Sequence, residues 1–261
     1  MSSVVASEHG FRATGFRQLM VAANIPQPEA RTASMREQFL ERTIDEFART
    51  GPGKFNPGKI ARELGVSVAM INHYFASRYG LVSDAAYIVY SRYVDEMFEA
   101  VTNAPRAPED RLRAWIRTQI SVSNRMGGWG VVLNYPTFSL QEPLTFDVEF
   151  RQMKVDKFEL NLTRLAQLIV DVNTGTVSPE EITEENLDTQ KFLSKPNLVA
   201  ITASIGMSTL GSSVWLSGSH SPSADSEDTR KYAEFAIDSH IDILVNLAKT
   251  ADLNLGQTSR Q

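Results

Sequence analysis

The chain has 261 residues, 42% of them hydrophobic and 22% charged, with no cysteine and a formal net charge of −5. That length suits one large domain, or a small domain joined to a larger one, and is ample for a buried core. Zero cysteine excludes disulfides and thiolate metal sites and suits a reducing cytoplasm; no apolar run approaches the roughly 18 residues of a membrane span. Residues 1–34, rich in Ser, Ala, Gly and Pro, read as a disordered arm. Leu19–Ala23 is too short for a signal-peptide core, and Met1–Ser7 has no basic residue. Arg12 and Arg17 are the arm's candidates for reaching a minor groove.

From Met35 to Arg49 the apolar positions Phe39, Leu40, Thr43, Ile44, Phe47 and Ala48 share one helical face. Ser34 with Glu37 three residues on is a capping-box pattern, and Gly51-Pro52-Gly53 ends the helix. Asn56 and Pro57 then open a short helix to Leu64, with Gly65 supplying the left-handed position that stops it. A third helix is expected from a Ser67 cap to Phe75. Projected at 100° per residue, Met70, Ile71, Tyr74 and Phe75 form a large apolar arc, and Val68, Ala69, Asn72 and His73 a small polar one. The first arc is the expected core and the second the presented face.

Beyond Leu81 the chain reads as long helices over Leu81–Val101, Glu109–Asn124, Phe146–Val172, Asn197–Leu216 and Glu227–Thr250. A break is expected at Gly127–Gly130, Asn173–Ser194 is acidic and less regular, and strand alternation is weak throughout. The expected fold class is all-α: an arm over residues 1–34, a three-helix reader over 35–81, a helical-bundle body over 82–252, and a frayed tail over 253–261.

A three-residue turn, Gly65-Val66-Ser67, between two short helices makes a helix-turn-helix, in which one helix crosses the phosphate backbone and the next enters the major groove of double-stranded DNA. The global charge is acidic, but from Lys54 to Val82 the charges are Lys54, Lys59, Arg62 and Arg78 against Glu63 alone. Backbone donors at the start of the second helix favour phosphate, with Lys54, Lys59 and Arg78 on the same rim. Asn72 and His73 are the candidate base or phosphate readers, and Val68 and Ala69 suit thymine methyls or close backbone approach. The Tyr74 hydroxyl is a further phosphate candidate, as are Asn56 and Ser67 at the helix starts.

The stretch Ile60–Leu81, IARELGVSVAMINHYFASRYGL, resembles the TetR family of bacterial transcriptional regulators at Ile60, Ala61, Gly65, Val66, Ser67, Tyr74, Phe75, Ser77, Arg78 and Leu81. It departs from the family pattern at Asn72, where a phosphate-contacting Tyr is usual, at Ala76, where Pro is frequent, and at Phe55, where Thr is frequent. The resemblance covers about a fifth of the chain. It implies a homodimer joined through the last two helices, a palindromic operator, and a body that encloses a small-molecule effector.

Trp115, Met126, Trp129, Tyr135, Phe138, Phe150, Met153, Met207 and Trp215 are the candidate lining of an apolar pocket, which points to an apolar or aromatic effector, although each also suits ordinary core. No catalytic or metal residues and no cofactor are expected. Gly206–Ser213 has phosphate-loop spacing but Ser212 where the Lys belongs, Leu210 breaks the nucleophile-elbow pattern, and the four histidines lie far apart. The expected protein is therefore a cytoplasmic repressor released by its effector. The alternatives are an activator or protein-regulated relative of the same fold, or an architectural DNA binder.

Overall fold

Ser34 opens the first helix with both bonds of a capping box. Its hydroxyl accepts from the Glu37 amide at 3.3 Å, and the Glu37 carboxylate accepts from the Ser34 amide at 2.7 Å. The computed structural model describes residues 34–134, 148–218, 227–253 and 255, and every regular element among them is helical. The elements are α1 (Met35–Thr50), α2 (Pro57–Glu63), α3 (Ala69–Phe75), α4 (Arg78–Asn103), α5 (Pro108–Arg125), α6 (Gly128–Asn134), α7 (Val148–Thr174), α8 (Thr189–Leu193), α9 (Pro196–Gly218) and α10 (Glu227–Thr250). Residues 1–33 of the expected arm, with Arg12 and Arg17, lie outside the described residues, as does most of the expected tail.

The chain forms two compact units. One draws on the residues up to Tyr93 and on Arg125–Lys154, the other on Val94–Asn124 and the residues from Val155 onward. The sequence places its boundary at Leu81 instead. The difference has a local cause, because α6 packs on α1. The indole of Trp129 stacks on Phe47, with centroids 4.1 Å apart and planes 22° apart, and its Nε1 donates to the Ile44 carbonyl at 3.0 Å. Where a break is expected at Gly127–Gly130, α6 begins at Gly128, and a Cβ on Gly128 would lie 2.4 Å from the Phe47 carbonyl oxygen. The glycines there permit contact between backbones.

In this first unit Phe39, Leu40, Ile44 and Phe47 of α1 are buried, together with Ile60 and Ala61 of α2, Ile71 and Phe75 of α3, and Leu81, Val82 and Ala85 of α4. Each large side chain removed from water contributes about 1.5–3 kcal/mol, so the three short helices hold together through a shared core. Their own length would leave them marginal.

In the second unit α5 lies along α10. Arg113 pairs with Asp242, Arg117 with Asp238, and Lys249 with Glu109 at 2.7 Å. These pairs are exposed and each contributes little. Stability comes from Leu112, Ile116 and Ile120 of α5, Leu165 and Ile169 of α7, Ile205 of α9, and Ile241, Leu244 and Val245 of α10, all buried. The Asn173 amide donates to the carbonyls of Ala248 and Ala251, at 3.1 and 2.8 Å, and so closes the end of α10, whose last carbonyls have no partner within the helix.

Candidate nucleic-acid interface and body cavity

The corner between α2 and α3 is built by backbone bonds. Gly65 takes φ +71°, its amide donates to the Arg62 carbonyl at 3.1 Å, and the Val66 amide donates to the Ala61 carbonyl at 3.0 Å. That pair of bonds is the Schellman closure, which needs a residue free of Cβ strain at Gly65. Asn56 caps α2 as the sequence suggests, its side-chain oxygen accepting from Gly58 and Lys59 amides at 3.0 and 3.3 Å. Ser67 does not cap α3 with its side chain. The helix starts one residue later, at Ala69 with Val68 in the cap position, and Ser67 contributes its carbonyl to the Met70 amide at 3.1 Å.

The two arcs of α3 separate in burial. Ile71 and Phe75 are buried and Met70 and Tyr74 half-buried, whereas Val68, Ala69, Asn72 and His73 are exposed. Tyr74 is held by rings on two sides, with His73 at 4.9 Å and Phe39 at 6.4 Å between centroids. The helix ends in Ala76 at φ +59°, left-handed backbone without a glycine.

The cations of this rim have unequal freedom. Lys59 Nζ lies 3.1 Å from Glu46 and 3.7 Å from Glu63. Arg78 donates to the Phe55 carbonyl at 3.3 Å and its guanidinium stands 5.8 Å over the Phe55 ring. The departure at Phe55 therefore has a structural use: the buried ring and its carbonyl hold Arg78 in place. Lys54 is exposed and has no ion pair among the described residues. Arg36, which the sequence reading did not single out, pairs with Asp84 at 2.5 Å and stands 5.2 Å over the Phe75 ring, tying α1 to α3 and α4.

The second unit holds a narrow cavity of about 20 Å³, room for about one water, lined from α4, α5, α7 and residues 178–182. Of the aromatic and methionine set, Trp115 lines it, with its Nε1 donating to Asn161 at 3.3 Å. Met126 and Trp129 are buried in the first unit, Met153 is half-buried there, and Met207 of α9 is 67% exposed. Tyr135 and Phe138 lie outside the described residues, as do the side chains of Phe150 and Trp215.

The cavity wall also contains a charged network that the aromatic reading passed over. Arg111 and Asp171 are 6% and 1% exposed. Arg111 bonds Glu181, and Asp171 Oδ1 accepts from Gln167 at 2.9 Å and Ser178 at 2.6 Å. Arg164 donates to the Ile182 carbonyl at 2.8 Å and lies 4.0 Å over the Phe98 ring; burial lowers its pKa, while Asp95, Glu181 and Glu184 oppose that shift. A signal for Asp171 existed in the sequence: a lone carboxylate inside Leu168-Ile169-Val170-Asp171-Val172, on a helix whose apolar face must be buried.

Residues 39–85 match the family model described as bacterial regulatory proteins, tetR family. Among solved structures the chain is similar to a TetR transcriptional regulator from Streptomyces coelicolor, at 20% identity and a TM-score of 0.38, over 80% of this chain and 97% of that one. A likeness that distant assigns no residue a role. No curated protein matches.

Proposed function

Because the chain belongs, through its N-terminal domain, to the TetR family of bacterial regulatory proteins, we propose that it is a sequence-specific transcriptional regulator, a repressor released from a palindromic operator when a small effector binds its body. The observation that carries this reading is the split of α3: Ile71 and Phe75 lock the helix to the core, while Val68, Ala69, Asn72 and His73 stand together on the exposed side. A helix so held presents a side narrow enough for the major groove, with Asn72 suited to the N6 and N7 atoms of adenine.

A homodimer through α9 and α10 completes the reader. Met207 of α9 and Tyr232, Phe235 and Ile243 of α10 are 67%, 75%, 71% and 64% exposed. Large apolar side chains grouped on the outside of two adjacent helices suit an interface core. In such a dimer the two copies of α3 stand about 34–36 Å apart, matching successive major grooves. The effector binds better to a form with the wrong spacing, and operator affinity falls by the ratio of its two affinities. No helix among the described residues is long and apolar enough to cross a membrane, and the protein acts in the cytoplasm.

Fluorescence anisotropy of the purified full chain on fragments of its own promoter region tests the reading. Binding is expected to prefer one palindromic fragment and to weaken with salt. Asn72→Ala or His73→Ala should cost roughly 1–3 kcal/mol and relax preference at one base position. Equal affinity for all fragments would instead favour an architectural binder.

A further inference from the structure

On the reading of the body as a sensing domain, we infer that the groove between α7, residues 178–188, α8 and the start of α9 is a site for a small apolar carboxylate, its acid group on Lys191 and Lys195 and its hydrocarbon body against Val170, Phe192 and Leu198.

The groove holds about 460 Å³ and opens to solvent along one side. That volume falls within the roughly 300–1,000 Å³ of small-molecule sites, and every residue lining it belongs to the second unit. Its outer wall is fastened in place. The Ser178 hydroxyl donates to Asp171 at 2.6 Å and accepts from Gln167 at 2.5 Å, Arg111 bonds Glu181, and Arg164 donates to the Ile182 carbonyl at 2.8 Å. Further along, the Asn186 amide donates to the Glu181 carbonyl at 2.9 Å. The buried pair of Arg111 and Asp171 thereby acquires a use: it ties residues 178–182 to α5 and α7 and keeps the groove formed without a ligand. A wall already ordered spares a ligand the entropy of ordering it.

The floor is apolar. Ala166, Phe192 and Leu198 are buried, with Val170 and Ile182 half-buried beside them. The polar groups are unequal in what they already hold. Of the two carboxylates in the lining, Asp188 Oδ1 accepts from the Lys191 amide at 3.0 Å as the cap of α8, and Glu180 is exposed to water. Lys195 is half-buried, and neither its ammonium nor that of Lys191 has a partner among the described residues. A partly desolvated cation without an anion is unfavourable, and a carboxylate brings the charge-assisted bonds that offset this. An amine would meet both lysines with like charge.

Isothermal titration of the full chain at pH 7 with 3-phenylpropionate, 2-phenylethanol and 2-phenylethylamine tests the assignment. The three share a ring and differ at the polar end. The acid should bind at least about tenfold tighter than the alcohol, the scale of a hydrogen bond to a charged group, and the amine should bind weakest. Replacing both lysines, Lys191→Met with Lys195→Met, keeps their packing stems and removes the charges, and should erase the preference for acid over alcohol. No measurable binding of the acid, equal affinities for the three, or an acid preference that survives the double replacement overturns the assignment. Should the double variant fail to fold, Lys191→Met alone decides, because that side chain is exposed; an undiminished acid preference there counts as failure. Loss of operator preference in the unliganded protein counts against the regulator reading and leaves the ligand ranking untouched, so the two failures are distinguishable.

Discussion

Replacing Gly128 by Ala is the smallest change that should separate α6 from α1. The added Cβ would lie 2.4 Å from the Phe47 carbonyl oxygen, 2.6 Å from Gly51 Cα and 3.0 Å from Gly51 N. All three neighbours are backbone and cannot rotate away, so α6 must retreat by about 1 Å to restore ordinary contact. That retreat opens the Trp129–Phe47 stack and lengthens the 3.0 Å bond from Trp129 to Ile44. Overpacking of this kind costs about 1–3 kcal/mol, and the weakened stack and bond put the expected loss near the upper end, about 3 kcal/mol. For a chain of this size it lowers Tm by roughly 6–12 °C. Gly206→Ala on α9 is the control. Its new Cβ would meet only Leu165 Cδ2, at 3.8 Å, and a mid-helix Gly to Ala change contributes about 0.5–1 kcal/mol of stability. Thermal melts of both variants by circular dichroism decide the matter. A Gly128→Ala protein that melts within about 1 °C of the parent would refute the reasoning, because the close approach would then be no constraint on the fold.

Ala76→Gly should raise stability by about 0.5–1 kcal/mol, read as the urea midpoint, because Ala76 holds left-handed backbone at φ +59° that glycine adopts freely; an unchanged midpoint argues against strain at this corner. The Asp45 carboxyl is pushed up to about 6 by burial and by Glu41, with Arg42 opposing. Its folded-state value lies above the unfolded one, so the folded state holds the proton more tightly and stability falls as pH rises from about 4 to 6. Asp45→Asn should then be more stable than the parent at pH 7 and indistinguishable near pH 4 in paired melts; a difference of the same size at both pH values contradicts the assignment. Glu46→Gln removes the closer of the two carboxylates on Lys59, at 3.1 Å, and should strengthen operator binding while steepening its logarithmic salt dependence by about 1 per protomer. An unaltered slope would show that Lys59 makes no phosphate contact.

The reader was legible because its determinants are local. A cap, a closure and a helical arc are each fixed within a few residues, so Ser34 with Glu37, Asn56 with Pro57, and Gly65 could be read in place. Ser67 misled by one residue because a Ser before a helix competes with its own backbone geometry, and the turn used its carbonyl instead of its hydroxyl. Gly127 does break the chain, at φ +53° between α5 and α6, but Gly128 misled in type. Taken locally, glycines mark a break, and only the approach of α1, far away in sequence, turns Gly128 into the start of a packed helix. The cavity was the least legible. Trp115, Trp129 and Met207 look alike as apolar residues but reach a cavity wall, a buried stack and an exposed helix face. What separates them is the packing of helices distant in sequence, which composition does not encode. The charged residues were the better guide there. An Arg or Asp inside an apolar helical run must find a partner or a ligand when it is buried, so Arg111 and Asp171 mark the polar wall of the body in a way that its aromatic residues cannot.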